Sequence, residues 1–206
     1  MAEKIDLWTE HKKLFSPKAG KPELARVPPF TYLMVDGTGD PNTSPAFMAA
    51  IGALYSLAYT LKFRFKKNKG VDFRVMPLSG RFHAEDPSVF LEGRKAEWKW
   101  TLMLSLPSLV TGSDLKAARQ EALAKKNASP ALPLVRREVL REGLCAQVLH
   151  RGPYAAERPT IAALHAFIAA QGLSFAGSHH EIYISDPNRT APEKLKTIIR
   201  QPVRKA

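Results

Sequence analysis

The sequence predicts an α+β fold in which a strand-helix-strand-strand module occurs twice, with two antiparallel sheets, each covered by a helix on one face, whose free faces meet over a pseudo-symmetric cleft. The same order of strand and helix patterns appears in both halves, and the first strand of each half ends at a glycine-containing turn. The length of 206 residues is sufficient for the cores of two small modules. We expect an N-terminal arm over 1–28 and one domain over 29–203, with module one at about 29–108, a linking helix at 112–127 and module two at about 140–203.

Module one begins with "PPFTYLMVDGTGDP", a β-rich run closed by glycines and a proline, which predicts a strand followed by a turn. Thr43 or Ser44 as a cap and Pro45 at the first helical position then predict a helix. Its apolar residues recur every three or four positions: Phe47, Ile51, Leu54, Leu57, Ala58 and Leu61. The runs "VDFRVMPLSGRFH" and "AEWKWTLMLSLPS" predict two further strands, and "GSDLKAARQEALAKKN" predicts an exposed helix.

Module two repeats this order. The run "LREGLCAQVLHRGPY" predicts a strand that ends in a Gly-Pro turn, and "AAERPTIAALHAFIAAQG" predicts a helix with Gly172 as its C-terminal cap. Two more strands are predicted by "HHEIYISD" and "LKTIIRQPV". In "HHEIYISD", alternation places Glu181 and Tyr183 on one face, and the more apolar opposite set is expected to pack against the helix. Glu181 and Tyr183 are therefore predicted on the free face of the sheet.

The candidate ligand site combines this carboxylate with aromatic side chains. Its predicted lining residues are Trp98, Trp100, Tyr154, Phe82, His179 and Tyr32. Such a hollow holds a flat apolar or cationic molecule by stacking, cation–π attraction and one charge. The alternative is that Glu181 is an exposed residue of an amphipathic strand and that the tryptophans pack in a core. Adjacent strand residues point to opposite faces, so His179, His180 and Glu181 are not expected to bind one metal ion, and we predict neither metal nor cofactor.

The formal net charge of +12 requires a nucleic-acid hypothesis, because clustered Lys and Arg gain affinity for phosphate by releasing counterions. The basic clusters are "LKFRFKKNKG" at 61–70, Lys125–Lys126 with Arg136–Arg137, and the tail "RQPVRKA". The alternative, which we favour, is that these are solvated helix ends and loops, since no DNA-reading motif accompanies them. We therefore do not expect nucleic-acid binding.

Other features of the sequence bear on the environment of the chain. It has no run of about 18 apolar residues, and the N-terminus "MAEKIDLWTEHKKLF" is too charged for a signal peptide, so we expect a cytoplasmic protein without a membrane segment. The single cysteine, Cys145, excludes an internal disulfide and predicts a small buried hydrophobe. A chain of two modules can close its own groove, so we expect a monomer.

Several runs of this sequence resemble a known family. They are "DFRVMPLSG", "EWKWTLMLSLPSLVT", "EGLCAQVLHRGPYAAERPTI" and "HHEIYISDPNRTAPEKLKTIIRQPV". Over about residues 25–203 the chain resembles the GyrI-like small-molecule-binding family, in particular its stand-alone members without a DNA-binding domain. The resemblance implies two modules around a central ligand groove. It departs after the "PLSG" turn, where relatives are expected to carry an aromatic-rich run and this chain has "GRFHAED", so one wall of the pocket is expected to be less apolar.

The resemblance also implies a function. Glu181 matches a buried glutamate that meets cationic aromatic ligands in multidrug-responsive regulators, and some stand-alone members hydrolyse the activated cyclopropane of DNA-alkylating natural products. Our first hypothesis is therefore a hydrolase that acts on electrophilic xenobiotics, with Glu181 as base for a water and Tyr183 as donor to the carbonyl oxygen that gains charge. The alternative is a non-catalytic protein that sequesters drugs or modulates a partner such as DNA gyrase.

Overall fold

The computed structural model describes residues 3–83, 92 and 94–206 and confirms the α+β fold. The chain divides into two compact units, one formed by the segment up to Glu10 with Phe30–Leu140, the other by His11–Pro29 with Arg141–Ala206. The end of the run "GRFHAED", from Ala84 on, lies outside the described residues, so the departure from the family pattern is not described beyond His83.

The first unit contains a mainly antiparallel set of strands and one long helix. Its elements are β1 (Glu3–Ile5), α1 (Leu7–Glu10), β3 (Phe30–Thr38), α3 (Pro45–Lys69), β4 (Val71–Phe73), β5 (Leu78–His83), β6 (Lys99–Leu106), α4 (Gly112–Leu123) and β7 (Arg136–Leu140). The antiparallel strands are ordered β5-β6-β3-β7, and β1 pairs in parallel with β4. Helix α3 packs against β3, β6 and α4.

Helix α3 follows its start and stop signals. Ser44 Oγ accepts a hydrogen bond from the Phe47 amide, Pro45 takes the first helical position, and Gly70 ends the helix with φ of 64°, where glycine avoids the Cβ clash. By length and composition α3 could cross a membrane, with a hydropathy of 1.3 in its most apolar window. Leu54, Leu57 and Leu61 are fully buried, however, which is typical of the central helix of a core.

The second unit repeats the arrangement with a shorter helix. Its elements are α2 (Lys12–Phe15), β2 (Glu23–Val27), β8 (Gly143–Arg151), α5 (Arg158–Ala170), β9 (Leu173–Phe175), β10 (His179–Tyr183) and β11 (Lys196–Lys205). The antiparallel order is β2-β8-β11-β10, and β9 pairs with the end of β11. The apolar core between α5 and the strands consists of Ala146, Val148, Leu164, Ile168, Ile199 and Val203.

The two units therefore share one topology, as the repeated pattern predicts. In each sheet, the third strand of the module lies between the first and the second. The first unit has the spatial order β3-β6-β5, and the second unit has the order β8-β11-β10. Each sheet also gains a strand next to its first strand, β7 in one unit and β2 in the other. Neither added strand was predicted, because β2 lies in the segment interpreted as an arm and β7 lies between the linker and module two.

Candidate functional site

Glu181 and Tyr183 lie on the face of the second unit's sheet that carries helix α5. Glu181 is opposite Ile199 on β11, and antiparallel partners point to the same face. Ile199 belongs to the core formed with Leu164 and Ile168 of α5. The prediction that Glu181 and Tyr183 occupy the free face is therefore wrong.

A charged cluster on the opposite face explains the error. His180 there is fully buried, and its Nδ1 lies 2.9 Å from Oε1 of Glu142. Arg200, opposite His180 in the strand register, donates to Glu142 Oε2 over 3.4 Å and to the Leu14 carbonyl over 3.0 Å. The face of β10 that was predicted to be the more apolar, which carries His180, therefore buries charged groups. The apolar contacts to α5 come from β8 and β11 instead.

Glu181 accepts a hydrogen bond at each carboxylate oxygen. The Tyr183 hydroxyl donates to Oε2 over 2.9 Å, and His179 Nε2 lies 3.1 Å from Oε1. The Glu181 side chain is 16% exposed, so solvent still reaches it. Burial, the neighbouring Glu181 charge and the hydrogen bond to it raise the pKa of Tyr183 well above 10. Tyr183 therefore keeps its proton and donates it in a hydrogen bond to Glu181.

A second carboxyl group, Glu157, is near enough to Glu181 for the charge of Glu181 to affect its pKa. Glu157 immediately precedes α5, and its backbone carbonyl accepts the Ile161 amide over 2.9 Å, but its side chain does not cap the helix. It is 5% exposed, and its Oε1 makes no hydrogen bond within the described part of the chain. Burial and the charge of Glu181 raise the pKa of Glu157 to about 8, against a smaller opposing effect of the Thr197 hydroxyl. Glu157 is therefore mainly protonated at neutral pH.

Tyr154 borders these groups from the short 3₁₀ turn Tyr154–Ala156 that precedes α5. Its ring lies 5.5 Å from the Tyr183 ring, edge to face, and it is 39% exposed. Burial, followed by the charges of Glu157 and Glu181, raises its pKa to about 12. We call Tyr154, Glu157, His179, Glu181 and Tyr183 the glutamate-pair site.

The other predicted site residues lie in the first unit. Phe82 and Trp98 are in edge-to-face contact at 5.8 Å. Trp100 is 1% exposed and packs against Phe47 of α3 at 5.0 Å, so its ring lies in the core beneath the helix, as in the alternative interpretation of the tryptophans. Tyr32 is buried beside Phe30. Trp100 pairs with Gly37 of β3 and therefore shares its face of the sheet. Tyr32 is five residues from Gly37 on the same strand, an odd number, so Tyr32 and Trp100 lie on opposite faces.

Sequence reasoning missed Glu157. An acidic residue just before a helix normally stabilises the helix N-terminus through its negative charge. In the run "AAERPTI" taken alone, Glu157 fits this role. The available signal was its place three residues after Tyr154 in the Gly-Pro-Tyr turn. Within the described residues, no group of three or more His, Cys, Asp or Glu side chains is placed to hold a metal ion.

Comparison with known proteins identifies the family of this chain. No curated protein matches it. An uncharacterized conserved protein from Listeria innocua shares 38% identity over 97% of this chain and 100% of its own, with a TM-score of 0.90. Two structures described as hydrolases from the same organism show 37% and 36% identity, cover 98% and 97% of this chain and all of their own, and have TM-scores of 0.87 and 0.85. The model of the GyrI-like small-molecule-binding domain matches residues 20–204, and the chain belongs to this family.

Proposed function

We propose that this protein is a hydrolase that opens activated, strained rings in flat electrophilic molecules at the glutamate-pair site. The observation that carries the proposal is that the site contains two carboxyl groups in different surroundings, Glu157 buried and Glu181 hydrogen-bonded to Tyr183 and His179. Glu157 keeps its proton at neutral pH, whereas Glu181 accepts hydrogen bonds at both oxygens. A protonated carboxyl group together with a carboxyl group that accepts hydrogen bonds supplies the acid and the base of a hydrolytic site.

Each residue of the site has a role in this reaction. Glu181 accepts a proton from a water molecule, and the protonated Glu157 donates to the carbonyl oxygen that gains charge as the ring opens. This differs from our initial hypothesis, in which Tyr183 was the donor, because the Tyr183 hydroxyl already donates to Glu181. Tyr183 and His179 instead orient the base, and the exposed ring of Tyr154 offers a surface on which a flat substrate stacks.

In the proposed step, water opens an activated cyclopropane that is conjugated with a carbonyl group. The water oxygen bonds to the ring methylene carbon as one ring C–C bond breaks, and the electron pair of that bond moves into the conjugated carbonyl. Glu181 takes the water proton and Glu157 gives its proton to the carbonyl oxygen. The product carries a new alcohol and a new phenol or enol hydroxyl. One proton returning from Glu181 to Glu157 restores the site.

The family relationship supports a hydrolase in particular. Two relatives with 36% and 37% identity over nearly the whole chain are described as hydrolases. The matched domain model describes small-molecule binding, which the proposal requires as its first step. Glu157 and Glu181 both fall within the matched region, residues 20–204.

The test is incubation of the purified protein with a cyclopropanoid alkylating agent in heavy-oxygen water. Chromatography and mass spectrometry should detect a ring-opened product that carries one heavy oxygen atom. Glu157→Gln and Glu181→Gln should each lower kcat by roughly 10²–10⁴-fold, the usual contribution of a general acid or base. Glu193→Gln, at an exposed position of the same unit, is the matched control and should retain full turnover.

Two results would contradict the proposal. Full turnover in both glutamine variants would remove the glutamate pair from the chemistry. Binding of the agent by the wild type, without any product, would leave the non-catalytic drug-binding protein as the function.

A further inference from the structure

The loop between β8 and α5 determines the position of the buried Glu157. Pro153, Tyr154, Ala155 and Ala156 are all exposed, yet the next residue, Glu157, is buried. Backbone hydrogen bonds close the turn, from Ala156 N–H to the Pro153 carbonyl over 2.8 Å and from Glu157 N–H to the Tyr154 carbonyl over 3.1 Å. Loops are more mobile than the elements that they join, so further contacts with β8 and α5 would help to fix the position of the Glu157 carboxyl group.

His150, near the end of β8, supplies this support. It is 5% exposed, and its ring contacts both ends of the loop. Nε2 lies 3.3 Å from the Pro153 carbonyl oxygen, and Nδ1 lies 2.9 Å from Oγ1 of Thr160 in the first turn of α5. Because a carbonyl oxygen can only accept, Nε2 carries the hydrogen, and in the neutral ring Nδ1 accepts from the Thr160 hydroxyl.

The backbone path of the loop is adapted to this ring. Gly152 has φ of 131°, a conformation that residues with a Cβ rarely adopt, and its amide donates to the Leu195 carbonyl over 3.0 Å. A Cβ at this position would lie 3.4 Å from His150 Nε2. The chain thus passes directly over the imidazole before it reaches Pro153.

We propose that His150 is a positioning residue of the glutamate-pair site, which holds Glu157 beside Glu181 by bridging the Pro153 carbonyl and the Thr160 hydroxyl. The ring nitrogens of His150 bond to Thr160 and Pro153, so His150 acts through the loop that carries Tyr154 and Glu157. The inference rests on the proposed function for its catalytic consequence. Its structural part, the placement of Glu157, is testable without any substrate.

The experiment is a pH titration of the glutamate carboxyl carbons by NMR, with the Glu157 signal assigned by its absence in Glu157→Gln. The variants are His150→Phe, which removes both contacts, and Thr160→Val, which removes one and keeps the shape of the side chain. In both variants the pKa of Glu157 should fall by at least one unit toward that of an ordinary carboxyl group, because Glu157 then reaches solvent. Thr160→Ser keeps the hydroxyl and should titrate like the wild type.

Turnover provides the second readout. Misplacement of an acid by about 1 Å can cost on the order of 10²-fold, so kcat should fall by at least about tenfold in Thr160→Val, with a small change in KM and recovery in Thr160→Ser. A folded Thr160→Val or His150→Phe protein with wild-type titration of Glu157 and wild-type kcat would overturn the inference and leave the proposed function intact. A wild type without turnover would refute the proposed function, while the titration would still decide the role of His150.

Discussion

At the scale of single residues, Glu157 makes stability depend on pH. Its pKa is about 8 in the folded protein and near 4.5 in the unfolded chain. Between these values the unfolded state releases the proton that the folded state keeps, so stability falls as pH rises from about 4.5 to 8 and then levels off. The burial of Glu157 therefore lowers the stability of the folded protein at neutral pH.

Glu157→Gln should remove this cost, because the amide resembles the protonated acid and has no charge to release. We expect the variant to be more stable than the wild type at pH 8 by roughly 2 to 4 kcal/mol, and equal to it near pH 4. Urea unfolding across this pH range measures the difference. A constant offset between the two proteins at every pH would contradict the raised pKa.

The same residue sets the expected pH profile of turnover. The proposed acid is present below about pH 8 and is lost above it, so kcat/KM should fall about tenfold per pH unit on the alkaline side. Initial rates from pH 6 to 10, at substrate concentrations well below KM, give this limb. A profile that stays flat to pH 10 would exclude Glu157 as the proton donor.

How far the site could be predicted also depends on individual residues. Alternation along β10 correctly placed Glu181 and Tyr183 on one face, because the period of a strand is independent of its surroundings. Which face carries the helix depended on β8 and β11, and on the charged partners of His180, which a single strand does not reveal. Glu157 resembled a helix-capping acid because its burial arises from the tertiary path of the loop.

At the scale of elements, the cluster of Glu142, His180 and Arg200 joins strands β10 and β11 to the start of β8. The Glu142 side chain is 3% exposed, and Arg200 also donates to Gln147 Oε1 over 3.0 Å. Burial alone would raise the pKa of Glu142, but the charges of His180 and Arg200 and their hydrogen bonds lower it to about 2. A depressed carboxyl pKa contributes stability that is present above about pH 4.5 and is lost as pH falls toward 2.

Glu142→Gln should therefore destabilise the protein at pH 7 by roughly 3 kcal/mol, since it leaves a buried arginine without its carboxylate. The loss should be smaller at pH 3, where the wild type begins to lose the same interaction. Denaturant unfolding at the two pH values checks this. The matched control is Glu138→Gln, which breaks an exposed ion pair with Arg136 and should change stability by less than about 1 kcal/mol. Equal effects of the two substitutions would contradict a stabilising role for the buried cluster.

The order of elements was largely predictable, for a local reason. The capping serine, the proline at the first helical position and the glycine at the end of α3 act within a few residues, so their pattern is visible in the sequence. Strands β2 and β7 escaped prediction because each is stabilised mainly by its pairing, with β8 and β3 respectively. Such pairing joins segments distant in sequence and leaves little local pattern.

At the scale of the whole molecule, nearby carboxylates partly neutralise the basic cluster at 61–70, which lies at the end of α3. Arg64 pairs with Glu121 at 3.0 Å, Lys69 pairs with Asp114 at 2.9 Å, and Lys62 and Lys66 both contact Asp72. Carboxylates beside these side chains weaken the attraction that a phosphate backbone would feel. The net charge of +12 therefore overstates the positive field at this helix end.

We accordingly expect duplex DNA to bind no more tightly than about 10⁻⁴ M at physiological salt, the weak limit of non-specific binding, with a shallow salt dependence. Fluorescence anisotropy of a short labelled duplex, at about 50 and 200 mM salt, measures both quantities. Lys67→Glu reverses an exposed charge in the cluster, and it should leave the weak affinity nearly unchanged if the cluster forms no phosphate surface. Micromolar affinity that falls by about 10³-fold between the two salt concentrations, and that Lys67→Glu weakens further, would instead establish a nucleic-acid surface at the end of α3.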